Sequence, residues 1–283
     1  MNKLNNREDI SDSLFVIKIG GNVIDNASAL QLFLKDFAAV RGHKILVHGG
    51  GKIATKIGDQ LGVQSKYING RRITDDDTID IVTMVYGGLV NKKIVAQLQA
   101  LQTNAIGLTG ADANIIPATK RPIVTLPGGE GQGGAIDFGW VGDIDNEKLI
   151  INNLKLIIEA GFTPVFAPLT HDGQGHILNT NADTIASALA VGLSHFYKVR
   201  LIYCFEKKGV LEDVNDDESV IRNINKQKYR QLLSENKLFE GILPKIDNAF
   251  AAIDAGVNEV LIGDAKDLIR NTKNSTEGTL ITC

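Results

Sequence analysis

The spacing of apolar residues predicts alternating strands and helices in the N-terminal part of the chain. Leu14 to Ile19 and Lys44 to Val47 are short apolar runs, which are typical of strands buried on both faces. Ala27 to Val40 places apolar residues at helical spacing, and the same spacing returns from Ile53 to Leu61. This order of elements is typical of a parallel sheet with crossover helices, so the sequence predicts an α/β fold.

The same alternation continues without a flexible linker to the end of the chain. Lys66 to Ile73 alternates around Asn69-Gly70, which predicts a hairpin. Gly87-Gly88 lies inside a long helical stretch, where we expect a kink. Glycines and prolines from 115 to 136 predict hairpins and loops, with a mobile tip at 128–134. Further strands are predicted at 105–108, 163–167, 196–204, 259–262 and 279–282, and further helices at 78–101, 147–160, 181–191 and 244–255.

Composition narrows the class of protein. The 283 residues carry a net charge of -3, so nothing attracts nucleic acid globally and any anion site must be local. The two cysteines lie far apart in sequence, which fits a reducing, cytoplasmic environment. No apolar run approaches the roughly 18 residues that cross a bilayer, and the polar start of the chain lacks the apolar segment of a secretory signal. We therefore expect neither a nucleic-acid partner nor a membrane partner.

Two glycine turns follow two predicted strands and are candidate anion sites. Lys18 lies within the first strand, just before Gly20-Gly21, and His48-Gly49-Gly50-Gly51 leads into a helix. Backbone amides at such turns bind phosphates, and a lysine inside an apolar strand needs an anionic partner. The alternatives are a lysine that extends to water from a sheet edge and glycines that serve only tight turns. Neither turn has the spacing of a dinucleotide or Walker-type motif.

Three further segments carry charged or amide side chains. Arg71-Arg72 is either a solvated pair or a bidentate carboxylate site. Asn179, Asn181 and Asp183 precede or open a helix, where they either cap it or reach a ligand. Lys245 opens another helix against the helix dipole, so it is either a plain surface lysine or part of a site where an anion lies between the ammonium and the helix end.

Together these candidates lack an evident nucleophile or general base. They supply lysines, glycine amides, an arginine and a carboxylate, and phosphoryl transfer between two anions depends on such charge stabilisation and alignment. The sequence therefore predicts an enzyme that moves the γ-phosphoryl group of ATP onto a small acidic metabolite.

The order of these motifs resembles that of the amino acid kinase family. The resemblance extends from about Leu14 to the C-terminus. It implies a three-layer αβα sandwich with a central, mainly parallel eight-stranded sheet. Within this one sheet, residues 1–172 would bind the N-acyl-L-glutamate substrate and form a homodimer, and residues 173–283 would bind ATP. The motifs that carry the resemblance are Lys18-Ile19-Gly20-Gly21, His48-Gly49-Gly50-Gly51, Asn69-Gly70-Arg71-Arg72-Ile73-Thr74, Asn179-Thr180-Asn181-Ala182-Asp183 and Gly241-Ile242-Leu243-Pro244-Lys245.

The resemblance also implies a reaction and its catalytic residues. The γ-carboxylate of N-acetyl-L-glutamate would accept the phosphoryl group of ATP, as a step of arginine biosynthesis. Lys18 and Lys245 would neutralise charge on the transferred group, and Asp183 would pair with both lysines. Mg²⁺ would bridge the nucleotide phosphates, largely through water, so no residue is assigned as a metal ligand.

The binding residues carry over in the same way. Nucleotide contacts are expected from Gly20, Gly21, Gly50, Glu206 and Gly209. Contacts to the acidic substrate are expected from Gly50, Gly51, Arg72, Asn179 and Asn181.

One segment departs from the family pattern, and two other features bear on substrate and assembly. Phe205 replaces a hydroxyl residue and Glu206 an aspartate in the nucleotide segment, while Gly209 keeps the turn. Lys120-Arg121 suggests a larger or more acidic acyl group, so N-succinyl-L-glutamate is an alternative substrate. The short segment before the first strand predicts a homodimer that arginine does not inhibit.

Two other classes of protein remain open from the sequence. A non-catalytic amino-acid sensor on this fold should lack a lysine or the aspartate, but Lys18, Lys245 and Asp183 are all present. A nicotinamide-dependent oxidoreductase should carry GxGxxG at a turn between a strand and a helix, and neither of the two predicted glycine turns has that spacing.

Overall fold

A computed structural model describes residues 13–68, 70–125, 135–213, 215–235, 237–238 and 242–283. The strands are β1 (Ser13–Ile19), β2 (His43–His48), β3 (Lys66–Ile68), β4 (Arg71–Ile73), β5 (Ala105–Leu108), β6 (Ala118–Lys120), β7 (Val124–Thr125), β8 (Ala135–Ile136), β9 (Gly142–Ile144), β10 (Thr163–Phe166), β11 (Leu169–His171), β12 (Ile177–Asn179), β13 (Lys198–Phe205), β14 (Asn223–Ile224), β15 (Glu259–Asp264) and β16 (Thr279–Ile281). The α-helices are α1 (Gly21–Asp25), α2 (Ala27–Ala39), α3 (Gly51–Gln60), α4 (Asp76–Val82), α5 (Asn91–Ala100), α6 (Ile151–Glu159), α7 (Ala182–Leu193), α8 (Lys226–Ser234), α9 (Leu243–Asp254) and α10 (Leu268–Asn271).

Eight strands form the central sheet, in the order β14-β16-β15-β13-β1-β2-β10-β5. Neighbouring strands run parallel except β15 and β16, which are antiparallel. The predicted eight-stranded, mainly parallel sheet is therefore confirmed.

Helices cover both faces of this sheet, because its central strand is apolar on both. Leu14 and Val16 of β1 belong to one buried cluster, and Ile17 and Ile19 belong to another. Apolar residues of α6, α7 and α9 pack in the first cluster, and those of α2, α4 and α5 pack in the second. The alternation within one strand thus produces the predicted three layers.

The long predicted helix contains an irregularity at its glycine pair. A π-helix, Thr83–Val90, lies between α4 and α5 and includes Gly87-Gly88. The chain keeps its helical path there, so the predicted interruption takes the form of wider turns. A short strand, β14, and the polar helix α8, which buries Leu232, were not predicted.

Two other expectations concern the surface of the molecule. The glycine-rich tip at 128–134 lies outside the described residues. Within the described ranges, no helix combines the length and the apolar composition that crossing a bilayer requires.

Candidate active site

The two glycine turns lie side by side at the carboxyl ends of β1 and β2. The amide of Gly49 donates to the carbonyl oxygen of Ile19 at 3.2 Å. Gly20 precedes α1, and Gly50 precedes α3. Ligands of open α/β sheets bind at this edge, where a helix N-terminus also favours an anion. The structure thus brings the two predicted amide sites together.

Lys18 forms an ion pair with Asp183. Lys18 Nζ lies 2.7 Å from Asp183 Oδ1, and the two side chains are 12% and 27% exposed. The lysine comes from the central strand β1, and the aspartate lies in the first turn of α7. Lys18 therefore does not extend to water from a sheet edge, because its ammonium has the anionic partner that a buried strand position requires.

Lys245, in the first turn of α9, approaches the same place from a distant part of the chain. Its Nζ lies 3.6 Å from the centre of the Phe205 ring, in a cation–π contact. Burial lowers the pKa of Lys245. The negative charge of Asp183 raises this pKa, and the positive charge of Lys18 lowers it further. Lys245 and Asp183, both within the described residues, form no ion pair within 4.0 Å. Asp183 thus pairs with one of the two lysines, and the Phe205 ring holds the other.

Lys18 and Lys245 line one cavity of about 370 Å³, which we call the lysine cavity. The ammonium groups stand beside a largely apolar wall that includes Val23, Leu211 and Ile262. This combination suits a ligand with a flat apolar ring and a chain of phosphates. The nucleotide-contact candidates in its lining are Gly20, Glu206 and Gly209.

Gly209 is required there by close packing. A Cβ at this position would lie 2.6 Å from Thr279 Oγ1, and its backbone φ is not positive. The turn expected at Gly209 therefore depends on its contact with β16.

A second cavity of about 300 Å³ adjoins the first, and we call it the arginine cavity. It is lined by polar groups, among them three guanidinium groups and the carboxylate that pairs with Lys18. Guanidinium groups bind carboxylates in a fork geometry, so this cavity suits an acidic ligand. The polar side chains of its lining are Arg71, Arg72, Arg121, Asn179, Thr180, Asn181, Asp183, Thr184 and Asn248.

Arg72 is anchored by the chain itself. Its Nη2 donates to the Gly51 carbonyl oxygen at 2.9 Å and to Thr55 Oγ1 at 2.8 Å, and its Nη1 donates to Ser65 Oγ. A guanidinium has five N–H groups, so with these three engaged at most two remain for a ligand. The predicted bidentate contact to a carboxylate therefore depends on an Arg72 guanidinium whose orientation the chain already fixes. The neighbouring Arg71 is exposed.

The two asparagines differ in what they do. Asn181 Oδ1 accepts from the Asp183 amide at 2.7 Å, so it caps α7 as well as lining the arginine cavity. Asn179 Nδ2 donates to Thr74 Oγ1 at 3.0 Å. Gly50 is the N-cap of α3, and Gly51 is its first residue. The Gly51 carbonyl oxygen accepts a hydrogen bond from Arg72, which lines the arginine cavity.

The Lys120-Arg121 pair divides between two environments. Lys120 Nζ lies 4.0 Å from the Trp140 ring, and Lys120 does not line the arginine cavity. Arg121 does line it and donates to both carboxylate oxygens of Asp143, with Nε at 3.1 Å from each. Only Arg121 of the pair is therefore placed to meet an acidic ligand.

Sequence reasoning missed several residues of the site. Asn248 lines the arginine cavity one helical turn beyond Lys245, a spacing that places both on one face of α9. Asn22 and Val23 follow the first glycine turn and line the lysine cavity. The i,i+3 spacing was a usable signal for Asn248, whereas Val23 carried none.

Two adjoining cavities that carry ammonium and guanidinium groups, joined by an ion pair, suit phosphoryl transfer between anionic ligands, the reaction of a phosphotransferase. The sequence profile of the amino acid kinase family matches residues 13–264. The chain belongs to the amino acid kinase family.

Individual relatives are similar over most of their length. The acetylglutamate kinase of Cytophaga hutchinsonii is 53% identical over 267 residues, which are 94% of this chain and 97% of that protein. The acetylglutamate kinase of Bacteroides fragilis is 53% identical over 256 residues, or 90% of this chain and 94% of that protein. The solved N-acetylglutamate synthase of Neisseria gonorrhoeae, in complex with coenzyme A and N-acetyl-glutamate, has a TM-score of 0.74 at 20% identity, covering 96% of this chain and 59% of that chain. This last likeness shows the fold alone.

Proposed function

We propose that the chain transfers the γ-phosphoryl group of ATP to the γ-carboxylate of N-acetyl-L-glutamate, a step of arginine biosynthesis. The observation that carries the proposal is the Lys18–Asp183 ion pair, since Lys18 lines the lysine cavity and Asp183 lines the arginine cavity. The ion pair therefore marks a point at which the two cavities approach each other. The names of the two acetylglutamate kinase relatives support the identity of the acceptor.

Each cavity contributes a part of the reaction. The apolar wall of the lysine cavity holds the adenine, and the glycine turns and the ammonium groups of Lys18 and Lys245 face the phosphates. Arg72 and Asn179 hold the α-carboxylate of the acidic substrate in the arginine cavity. The contacts expected from Gly20, Gly21, Gly50, Gly51, Glu206, Gly209 and Asn181 belong to the same proposal.

The chemistry needs no general base. A glutamate γ-carboxylate has a pKa near 4.3 and is already ionised at neutral pH. Its oxygen forms a bond to the γ-phosphorus while the bond from that phosphorus to the β,γ-bridging oxygen breaks, and ADP leaves with the electron pair. The two ammonium groups neutralise charge on the transferred group, and Asp183 keeps Lys18 in place.

The side chains present fit a magnesium ion that arrives with the nucleotide. Within the residues that the structure describes, no group of three or more His, Cys, Asp or Glu side chains is arranged to hold a metal. Mg²⁺ commonly keeps several waters and binds substrate phosphates, so a protein cage is not needed. The ion would supply charge neutralisation on the β- and γ-phosphates, and Glu206 in the lysine cavity is a carboxylate that its waters could reach.

Acceptor-dependent release of ADP tests the proposal. We expect ADP to form with N-acetyl-L-glutamate and not without it, and hydroxylamine to trap the acyl phosphate as a hydroxamate. L-Glutamate serves as a matched acceptor that lacks the acyl group. ADP release that is independent of the acceptor, or the absence of the hydroxamate, contradicts the proposal.

N-Succinyl-L-glutamate is a second candidate acceptor, and the arginine cavity favours it. Arg72 is assigned to the α-carboxylate, which leaves Arg71 for a further carboxylate, together with the N–H groups of Arg121 that Asp143 does not engage. Comparing kcat/KM for the two acyl substrates decides between them. A clear preference for the acetyl compound removes the succinyl candidate.

The wider organisation of the protein is part of the proposal. We expect residues 1–172 to bind chiefly the acidic substrate and residues 173–283 chiefly ATP, although each cavity takes lining residues from both parts. We also expect a cytoplasmic homodimer that arginine does not inhibit. A mass measurement in solution that gives a hexamer, or inhibition by arginine, contradicts these two expectations.

A further inference from the structure

A buried histidine stands directly before the second glycine turn. His48 ends β2 and is 0% exposed. Its Nδ1 lies 2.7 Å from the carbonyl oxygen of Gly49, and its Nε2 lies 3.2 Å from Asn91 Nδ2. A carbonyl oxygen can only accept, so Nδ1 carries the hydrogen and Nε2 is the acceptor. Both ring nitrogens are therefore committed.

Asn91 fixes the far side of the ring. It is 1% exposed and begins α5, directly after the π-helix. Its Nδ2 also donates to the Val165 carbonyl oxygen of β10 at 2.8 Å. Because a backbone carbonyl cannot donate, this contact decides which end of the amide is the NH₂ group. Through Asn91, the imidazole is thus held between β2, β10 and the first turn of α5.

Backbone hydrogen bonds join the Gly49 amide to Ile19 and the Gly50 carbonyl oxygen to Ala54, and the histidine acts on the Gly49 carbonyl between them. Gly49-Gly50-Gly51 lacks side chains, and glycine backbone has more accessible conformations than that of any other residue. Gly50 has φ +154°, and a Cβ there would lie 3.0 Å from Tyr86 Cδ1. A residue with a side chain, which would restrict the backbone, therefore does not fit at this position. An amide that must meet a phosphate needs some other restraint.

The planar peptide transmits that restraint. The Gly49 carbonyl and the Gly50 N–H belong to one trans peptide plane and point in opposite directions. When the His48 Nδ1–H holds the carbonyl against the buried ring, the Gly50 N–H is aimed away from that ring.

We propose that His48 is a positioning residue, whose hydrogen bond to the Gly49 carbonyl aims the Gly50 amide at the transferred phosphoryl group. The proposal rests on the proposed function, which assigns the Gly50 amide to a phosphate. Burial lowers the pKa of His48 to about 4, so the ring stays neutral at neutral pH and Nε2 stays free to accept from Asn91.

Two isosteric variants separate the ring's two hydrogen bonds. The side-chain amide of His48→Asn is as many bonds from Cα as Nδ1 is, so it can still donate to the Gly49 carbonyl. The amide of His48→Gln is as far from Cα as Nε2 is, so it can keep the contact with Asn91 but loses the donor to Gly49. We expect His48→Asn to retain kcat within about threefold and His48→Gln to lose about 10- to 100-fold, since small misplacements of catalytic groups have effects of this size.

The readouts are kcat, both KM values and the thermal midpoint of each variant, with kcat referred to folded protein. We expect kcat to separate the variants while the KM for ATP and the midpoint change little between them. A residue that only supports the fold predicts the reverse, namely shifted midpoints and equal kcat values. Equal kcat values for the two variants overturn the proposal.

The wild-type protein provides a test that does not depend on the folding of a variant. Long-range ¹H–¹⁵N spectra of the histidine rings report which nitrogen is protonated. We expect one ring that does not titrate near neutral pH and carries its hydrogen on Nδ1, and a ring protonated on Nε2 in its place overturns the proposal. A wild-type protein with this ring but without acceptor-dependent ADP release contradicts only the proposed function.

Discussion

Replacing Asp183 by asparagine removes the charge that joins the two cavities while keeping the side chain's size. Lys18 then loses the partner that lies 2.7 Å from its ammonium. Lys18 also remains near Lys245, whose pKa it already lowers through its positive charge. We therefore expect the variant to lose both stability and turnover.

The expected loss of stability follows from the exposure of the pair. At 2.7 Å and an effective dielectric constant of about 20, the Coulomb attraction is about 6 kcal/mol before desolvation is subtracted. Breaking exposed pairs costs about 0–1 kcal/mol, and breaking buried ones about 3–5 kcal/mol. Asp183 is 27% exposed, which is intermediate. We expect the free energy of unfolding to fall by about 1–3 kcal/mol.

The expected loss of turnover is larger and has a pH signature. A displaced Lys18 ammonium should lower kcat by about 10²-fold. Burial lowers the pKa of Lys245 and the Asp183 carboxylate raises it, so the variant's Lys245 pKa falls further. A lysine acts while protonated, below its pKa, so activity is lost as the pH rises through that value. The alkaline loss of kcat should therefore begin at lower pH in the variant.

Urea unfolding and kcat profiles from neutral to alkaline pH measure these effects. Asp254→Asn is the matched control, because it removes an exposed carboxylate at the C-terminal end of α9, where it pairs with Lys226 at 2.6 Å. The control should leave kcat and its alkaline limit unchanged. If Asp183→Asn behaves like the control, the ion pair does not organise the site and the reasoning fails.

Three further substitutions test other contacts. Phe205→Leu removes the ring that holds the Lys245 ammonium, so kcat/KM for ATP should fall about 3- to 10-fold while Phe205→Tyr preserves it; equal values for both variants exclude the cation–π contact. Arg72→Lys cannot replace the anchored fork, so KM for the acidic substrate should rise about tenfold with a smaller change in kcat; an unchanged KM places the carboxylate elsewhere. Gly50→Ala meets both a positive φ and the Tyr86 ring, so unfolding in urea should show a loss of about 1–3 kcal/mol, and wild-type stability would argue against that strain.

Much of the sheet could be predicted because its strands are apolar runs bounded by glycine. β1 and β2 were predicted nearly to their ends. The start of β13 was predicted too early, since Phe196 and Tyr197 are apolar but lie in the turn that follows α7. Phe196 is 44% exposed, so its apolar side chain does not mark a buried strand. The sequence pattern alone does not distinguish an exposed apolar residue in a turn from a buried apolar residue in a strand.

The charged part of the site was predictable to a similar degree. A lysine inside a buried strand has few ways to satisfy its charge, so an anionic partner for Lys18 followed from burial alone, and Asp183 is that partner. The Lys245–Phe205 contact depends on the path of the backbone after β13 and on two rotamers. No sequence pattern encodes either of these, and so the expected pairing of Lys245 with Asp183 differs from the contact found.

The most direct test of the shared phosphate site is a crystal structure with ADP, Mg²⁺, aluminium fluoride and N-acetyl-L-glutamate. The planar fluoride stands for the transferred phosphoryl group. We expect the Nζ atoms of Lys18 and Lys245 both to lie within about 2.7–3.2 Å of its fluorine atoms, with Asp183 still paired to Lys18. A complex in which either ammonium points into solvent, or contacts a different ligand, contradicts the proposal that the two lysines act on one phosphoryl group.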